Sequence, residues 1–322
     1  MKHRKLCGFS LTAFFFTVLI WSIFPVPSSA AESLWQGPMI DVHSQVDKNT
    51  DLDSIVPLMN KAGVAQVVLS TRFGQPSSDV HELAARNPGR IIPAAKTKTR
   101  AFTKKRSKFP SVFYKELKRY DYRAMAEVIM WHAAKPGKGA GRSVIEADSP
   151  LLQPFVDTAR KKGFPFVVHV EFGDMELGEK KDYMKKLEAL FSANQDVFFG
   201  MIHMGQLDAE DAARLLPKHA NLFFITSHSN PVITKDSRLP WTQMIYGTKM
   251  ASKWEKVVLA YPDRFVLGFD NVWASHWRDK FLPQAKLWRK VLAKLPIEVA
   301  QAISHKNAER LWKLPPARLP GN

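Results

Sequence analysis

The chain has 322 residues, 47 basic against 30 acidic side chains, a formal charge of +17 and one cysteine. This length buries a large core without covalent staples, and a lone cysteine excludes an internal disulfide and any cysteine-rich zinc site. The basic balance favours anionic neighbours, but no zinc finger, RNA-binding aromatic motif or basic-region heptad accompanies it, so no nucleic-acid partner is expected.

Lys2, Arg4 and Lys5 precede an almost wholly apolar run over residues 9–24, and small residues follow at Ser28, Ser29, Ala30 and Ala31. That layout predicts a signal peptide over 1–31, cleaved after Ala30 or Ala31. The apolar run is shorter than the ~20 residues of a spanning helix, so the mature domain, 32–322, is expected in the periplasm or secreted, with no stable membrane insertion. Cys7 is lost with the leader, and removing its three basic residues from +17 leaves +14. Any metal must then be held by histidine and carboxylate.

From Met39 onward, short apolar runs rich in Val, Ile and Phe alternate with amphipathic helix-length stretches, the pattern of a parallel sheet with crossover helices. Strands are predicted at 39–43, 65–70, 90–95, 124–130, 166–170, 197–203, 222–226 and 265–269. Asp51, Ser77 and Ser149 read as helix caps, and Gly63 and Gly163 as helix ends. Eight strand–helix units predict one α/β domain, a (β/α)₈ barrel, whose typical length is ~250 residues. The main rival is an open doubly wound sheet, which would place a glycine-rich loop after its first strand; here Asp41, Val42, His43, Ser44 and Gln45 follow without glycine. Residues 296–312 read as a closing helix and 315–322 as a frayed end.

A barrel gathers the C-terminal ends of its strands on one face. His43 and Gln45 end the first strand, His169 the fifth and His203 the sixth, and Asp270 follows the eighth. Each alone fits a hydrogen-bonded structural residue. Together they fit metal ligation by imidazole and carboxylate. The second strand ends in Leu69, Ser70 and Thr71, with no ligand type, so the pattern is not general to strand ends.

These segments resemble the amidohydrolase-related family, the branch of aminocarboxymuconate-semialdehyde decarboxylase and 2-pyrone-4,6-dicarboxylate hydrolase. Ile40-Asp41-Val42-His43-Ser44-Gln45 is similar to its Asp-x-His-x-His, and Gly163-Phe164-Pro165-Phe166-Val167-Val168-His169 to its fifth-strand segment. Ile202-His203-Met204-Gly205, Asn221-Leu222-Phe223 with Thr226-Ser227, Arg264 to Asp270, and Asn307-Ala308-Glu309-Arg310-Leu311 resemble its later signatures. The resemblance implies a metal-dependent hydrolase using a metal-activated water, with decarboxylation as the family's other chemistry. It implies His43, His169 and Asp270 as metal ligands, with Gln45 in the place of a further ligand, and His203 and Asp270 as catalytic groups. Zinc is the expected ion.

Gln45 departs from the family, which places a histidine there. An amide oxygen is a poorer zinc partner than imidazole, so the metal preference should shift towards a harder ion such as manganese. A site without metal, or a barrel that only binds its ligand in the cell envelope, stays open on the same ground. Glu127 and His228 are secondary candidates, Glu127 being equally readable as half of an internal salt bridge, and His132 ranks below them. The segment 96–108 holds seven basic residues and no acid; Lys104, Lys105 and Arg106 would collect a small anionic substrate, or form a solvated loop. His81, His219, His276 and His305 are expected at the surface.

Overall fold

The computed structural model describes residues 33–319 apart from 73, 99–101, 103–105, 136–140 and 236. The expected leader, with Lys104 and Lys105, lies outside the described residues. Along the chain, β1 (Met39–Val46), β2 (Val64–Thr71) and β3 (Ile91–Ala95) pair in parallel, and β4 (Ala124–Met125) adds to β3. After Ala126 and Glu127 the chain resumes as β5 (Val128–His132), on which β6 (Ser143–Val144) lies antiparallel. β5 pairs in parallel with β7 (Phe166–Val170), so β4 and β5 are one barrel strand interrupted in the middle. The Ala126 N–H still donates to Ala95 O at 2.9 Å across the interruption.

β8 (Phe199–Met201) and β9 (Leu222–Ile225) continue the parallel order, β10 (Ile245–Tyr246) and β11 (Lys249–Met250) form an outlying hairpin, and β12 (Phe265–Val266) pairs with β9. The ring closes through the chain just after β12. Val42 N–H donates to Leu267 O at 3.0 Å, Asp270 N–H to His43 O at 2.7 Å and Gln45 N–H to Asn271 O at 2.7 Å. The eight expected strand positions thus form a closed (β/α)₈ barrel.

Helices α1 (Ile55–Ala62), α2 (Ser77–Arg86), α3 (Phe109–Arg119), α4 (Gln153–Lys162), α5 (Leu177–Ala193), α6 (Ala209–Leu215), the short α7 (Pro231–Thr234), α8 (Ser252–Ala260) and α9 (Phe281–Leu292) surround it. Asp51 and Ser149 cap the turns that lead into α1 and α4, while Ser77 lies inside α2 and Pro76 takes the cap position. Gly63 and Gly163 end α1 and α4 with φ of 66° and 70°, a region glycine enters without steric cost.

Two apolar layers result. One lies between strands and helices. The other fills the barrel with Ile40, Val42, Val68, Ile92, Val167, Phe223 and their neighbours, and is floored by α11 (Asn307–Trp312), which follows α10 (Ile297–Gln301). The Trp312 ring meets Phe223 edge-on at 5.5 Å, and Asn307 Nδ2 donates to Pro262 O and Phe265 O, fixing the helix under the barrel. Residues 315–319 are docked rather than frayed: Gln66 Nε2 donates to Pro315 O at 3.1 Å and Ala317 N–H to Glu309 at 2.6 Å.

Candidate metal centre

The mouth of the barrel begins with an irregularity in β1. Asp41 pairs with Val67 and Ser44 with Leu69, so three steps along β1 match two along β2. Both Val42 and His43 therefore stand opposite Val68, and such a bulge re-aims the side chains beyond it. Val42 joins the interior apolar layer, while His43 and Gln45 enter the mouth. Ser44 turns away, donating to Asp41 Oδ2 at 2.5 Å and accepting from Asn271 N–H at 3.1 Å. Asp41 also accepts from the N–H groups of His43 and Phe269, tying the first strand to the eighth; burial pushes its pKa up to about 6 against those donors.

His43 Nε2 lies 3.1 Å from Asp270 Oδ1 and 3.4 Å from Glu127 Oε1. Gln45 Nε2 stands between them, 3.1 Å from Glu127 Oε1, 3.4 Å from Asp270 Oδ1 and 3.4 Å from His43 Nε2. All four side chains are buried. Gly268 lets the eighth strand pass: a Cβ there would lie 2.5 Å from Ile225 and 3.5 Å from the His43 Cβ. Glu127 is the hub. Its second oxygen takes the His169 Nδ1, and Lys98 reaches its first. His169 Nε2 faces Glu171 Oε1 at 3.3 Å, and Glu171 also holds the Ala133 N–H at 2.7 Å, with His132 and Lys135 each at 3.7 Å.

On the other side, His203 Nε2 and His228 Nε2 lie 3.6 and 3.4 Å from Asp270 Oδ2. Their rings stack at 4.4 Å, with Trp241 edge-on against both. Ser227 Oγ accepts the His203 N–H at 3.2 Å and lies 2.9 Å from His203 Nδ1. With the Ser227 hydroxyl donating to Nδ1, the neutral His203 would carry its proton on Nε2, on the side of the mouth. The backbone here is left-handed at His203, Met204, Gly205 and Gln206, and again at His228 and Asp270. For residues other than glycine this costs on the order of 1–2 kcal/mol each, and such outliers concentrate at functional sites.

The charges divide the mouth in two. Burial opposes a charge on His43, but Asp270 and Glu127 outweigh it and hold its pKa up to about 9. Burial likewise opposes a charged His169, which Glu127 and Glu171 nevertheless raise. Glu127 and Asp270 stay well below the usual carboxylate range despite burial, Glu127 through Lys98 and His169 and Asp270 through His43 and His228. His203 and His228 go the other way: burial lowers both, with the neighbouring imidazole adding to the effect at His203, and His228 falls to about 4. Imidazoles with pKa values pushed apart are the arrangement that separates a cationic from a neutral role.

The donor set suits a divalent metal. Ligands about 2.1 Å from a tetrahedral ion stand about 3.4 Å apart, close to the 3.4 and 3.1 Å that separate His43 Nε2 from Glu127 Oε1 and Asp270 Oδ1. Half a turn of the Gln45 amide would present its oxygen in place of its nitrogen. Such an ion supplies a Lewis acid that lowers the pKa of a water and polarises a carbonyl.

Of the residues singled out in the sequence, His43, Gln45, Glu127, His169, His203, His228 and Asp270 meet in one mouth. Glu127, ranked second from sequence, is central because the interruption between β4 and β5 turns it inward. Lys98 and Ser227 entered only as members of a basic segment and of a family-like motif, and Glu171 was not singled out, although it stands two residues beyond His169. The Arg106 side chain falls outside the described residues. His219 and His305 are buried rather than at the surface, His219 facing Glu188 at 3.3 Å and His305 bonded to Ser304 at 2.8 Å. His276 is half-buried behind Asp270, and His81 stacks on Tyr120 at 4.5 Å.

No family model and no curated protein matches the sequence. Solved structures do. An uncharacterised TIM-barrel protein from Bordetella bronchiseptica is 13% identical, with a TM-score of 0.58 over 86% of this chain and 99% of that one. The fold is a TIM barrel. A putative 2-pyrone-4,6-dicarboxylic acid hydrolase from Pseudomonas putida is similar at 13% identity and a TM-score of 0.52, covering 86% of this chain and 97% of its own. An amidohydrolase from Burkholderia multivorans with bound zinc gives 11% and 0.51, covering 87% of this chain and 100% of its own. The architecture thus agrees with the resemblance read from the strand-end segments.

Proposed function

We propose that this chain is a metal-dependent hydrolase of the amidohydrolase type, exported from the cytoplasm and acting on a small anionic substrate through an activated water. The observation that carries this reading is the meeting of His43, Glu127 and Asp270, from three distant strands, at ligand spacing. The zinc-containing Burkholderia multivorans amidohydrolase, which shares the fold, supports it. His43, Glu127 and Asp270 would hold the ion, with Gln45 through its amide oxygen and His169 beside Glu127. Zinc suits the imidazole and carboxylates; the amide favours a harder ion such as manganese. Asp270 accepts the proton of the attacking water, and the His203 Nε2–H binds the oxygen on which charge develops.

One observation favours a second reading, an envelope protein that binds its ligand without catalysis: the Gln45 amide nitrogen occupies the point where the three donors converge. Elemental analysis of the purified chain, with hydrolysis of carboxylated lactones and esters followed before and after chelation, separates the two. Stoichiometric metal and chelator-sensitive turnover are expected. Protein without metal in every expression medium, and inert throughout, would establish the binder. The Gln45→His variant is expected to bind zinc about tenfold more tightly.

A further inference from the structure

A groove of about 490 Å³ runs between α7, the turn of the β10–β11 hairpin and one face of α9, and it shares no lining residue with the metal centre. Pro283, Lys286, Leu287 and Lys290 stand at the i, i+3, i+4 and i+7 positions that share one side of a helix. Pro283 and Leu287 join Pro231 and Val232 of α7 in an apolar wall. That wall has little hydrogen bonding left to offer. Neither proline has an N–H, the Pro231 carbonyl takes the Lys235 N–H at 3.2 Å, and the Val232 N–H goes to Asn230 Oδ1 at 3.1 Å. At the hairpin turn, the Thr248 hydroxyl and carbonyl accept from Lys294 at 2.5 and 2.9 Å.

The charged part of the lining is Lys235, Lys280, Lys286 and Lys290 against one acid, Asp279, and Arg278 holds that acid at 2.9 and 2.7 Å. Two residues before Thr248, Tyr246 is 67% exposed.

These features discriminate among anionic partners. A small carboxylate or phosphate is best held by a planar guanidinium or by backbone N–H groups, and the lining contains no arginine. An acidic peptide would bury main-chain polar groups against a wall that cannot pair them. A nucleic-acid strand would look for aromatic faces to stack on, and the lining has none. Lysine stems over an apolar wall, beside an exposed tyrosine, are the composition of a surface seated in the headgroup layer of an anionic bilayer.

We infer that this groove is a membrane-docking site, which takes an acyl chain of an anionic phospholipid against Pro231, Val232, Pro283 and Leu287 while the lysines meet the headgroups. Among the described residues no helix is long and apolar enough to cross a membrane, so the attachment is peripheral. The inference goes beyond the hydrolase reading and is independent of it, since no residue of the metal centre takes part.

The test is sedimentation with lipid vesicles. The barrel closes wholly within the described residues 33–319, so residues 32–322 are used, because the apolar leader would itself enter lipid. Binding to vesicles of equal parts phosphatidylglycerol and phosphatidylcholine is expected to exceed binding to phosphatidylcholine alone at least tenfold. Lys286→Gln with Lys290→Gln should weaken it about twentyfold, and Leu287→Gln about fivefold, with thermal unfolding unchanged; Val232→Gln replaces Leu287→Gln if that variant does not fold. Equal binding to both vesicles, no binding, or indifference to the groove variants overturns the site. So does an equal loss in Lys181→Gln with Lys185→Gln, two exposed lysines of α5, because charge alone would then suffice. Displacement from vesicles by polyglutamate at matched charge would assign the groove to an acidic protein and likewise overturn it.

Discussion

At the floor of the barrel, Ile40, Ile92, Val167 and Phe223 meet Leu311 and Trp312 of the closing helix. A few residues further along the same sheet, His43, Glu127, His169 and Asp270 meet only charged or polar partners. The floor needs volume and nothing else, and it gains from every ångström removed from water. The mouth buries ionisable groups, whose desolvation is offset only by their mutual pairing. The contrast teaches a division of labour along each strand, with stability placed at one end and chemistry at the other.

That division can be broken from either side. The largest effect is expected from Asp270→Asn, which removes the acceptor facing His43, His203 and His228; turnover should fall about a thousandfold, with an unchanged circular dichroism spectrum. If Asp270→Asn instead unfolded the chain, the mouth would be a structural element. From the floor, Trp312→Ala removes the ring packed on Phe223 and should cost about 3–5 kcal/mol in urea unfolding, leaving metal stoichiometry intact. A loss of metal in that variant would show the two ends to be coupled.

A smaller effect sharpens the comparison through pH. Burial opposes ionised Glu171, but His169 and its other partners overcome this and bring its pKa from 4.5 to about 2. A depressed carboxylate pKa stabilises the fold above its unfolded value and loses that contribution as pH falls through the folded one. Between pH 4.5 and 2 the chain should thus shed on the order of 3 kcal/mol through this group. Glu171→Gln should lack that part of the acid slope. An identical slope would assign the acid sensitivity elsewhere.

Much of this was legible in the amino-acid order. Eight apolar runs separated by helical stretches mark the strands, because a buried parallel strand must be apolar on both faces, and 166–170 coincides with β7. His43, His169, His203 and Asp270 could be placed at strand ends from spacing alone. The role of Glu127 could not, because it depends on an interruption of the fourth strand that no turn residue announces. Lys98 looks like an ordinary loop charge until the fold brings it to Glu127, whereas Glu171 is marked only by standing two residues beyond His169. His219 gives no sign in the sequence of its burial, because Glu188, thirty-one residues away, reaches it only in the fold, and His305 lies buried beside its chain neighbour Ser304.

The bulge in β1 has a consequence for how such a protein changes over time. With Val42 and His43 both facing Val68, the hydrophobic stratum runs unbroken directly below the ligand tier. Replacing a donor at position 43 or 45 therefore leaves the packing underneath untouched, and new reactivity becomes accessible one side chain at a time. Gln45, at the place where the strand-one motif that this segment resembles has a histidine, is the kind of exchange such an arrangement tolerates.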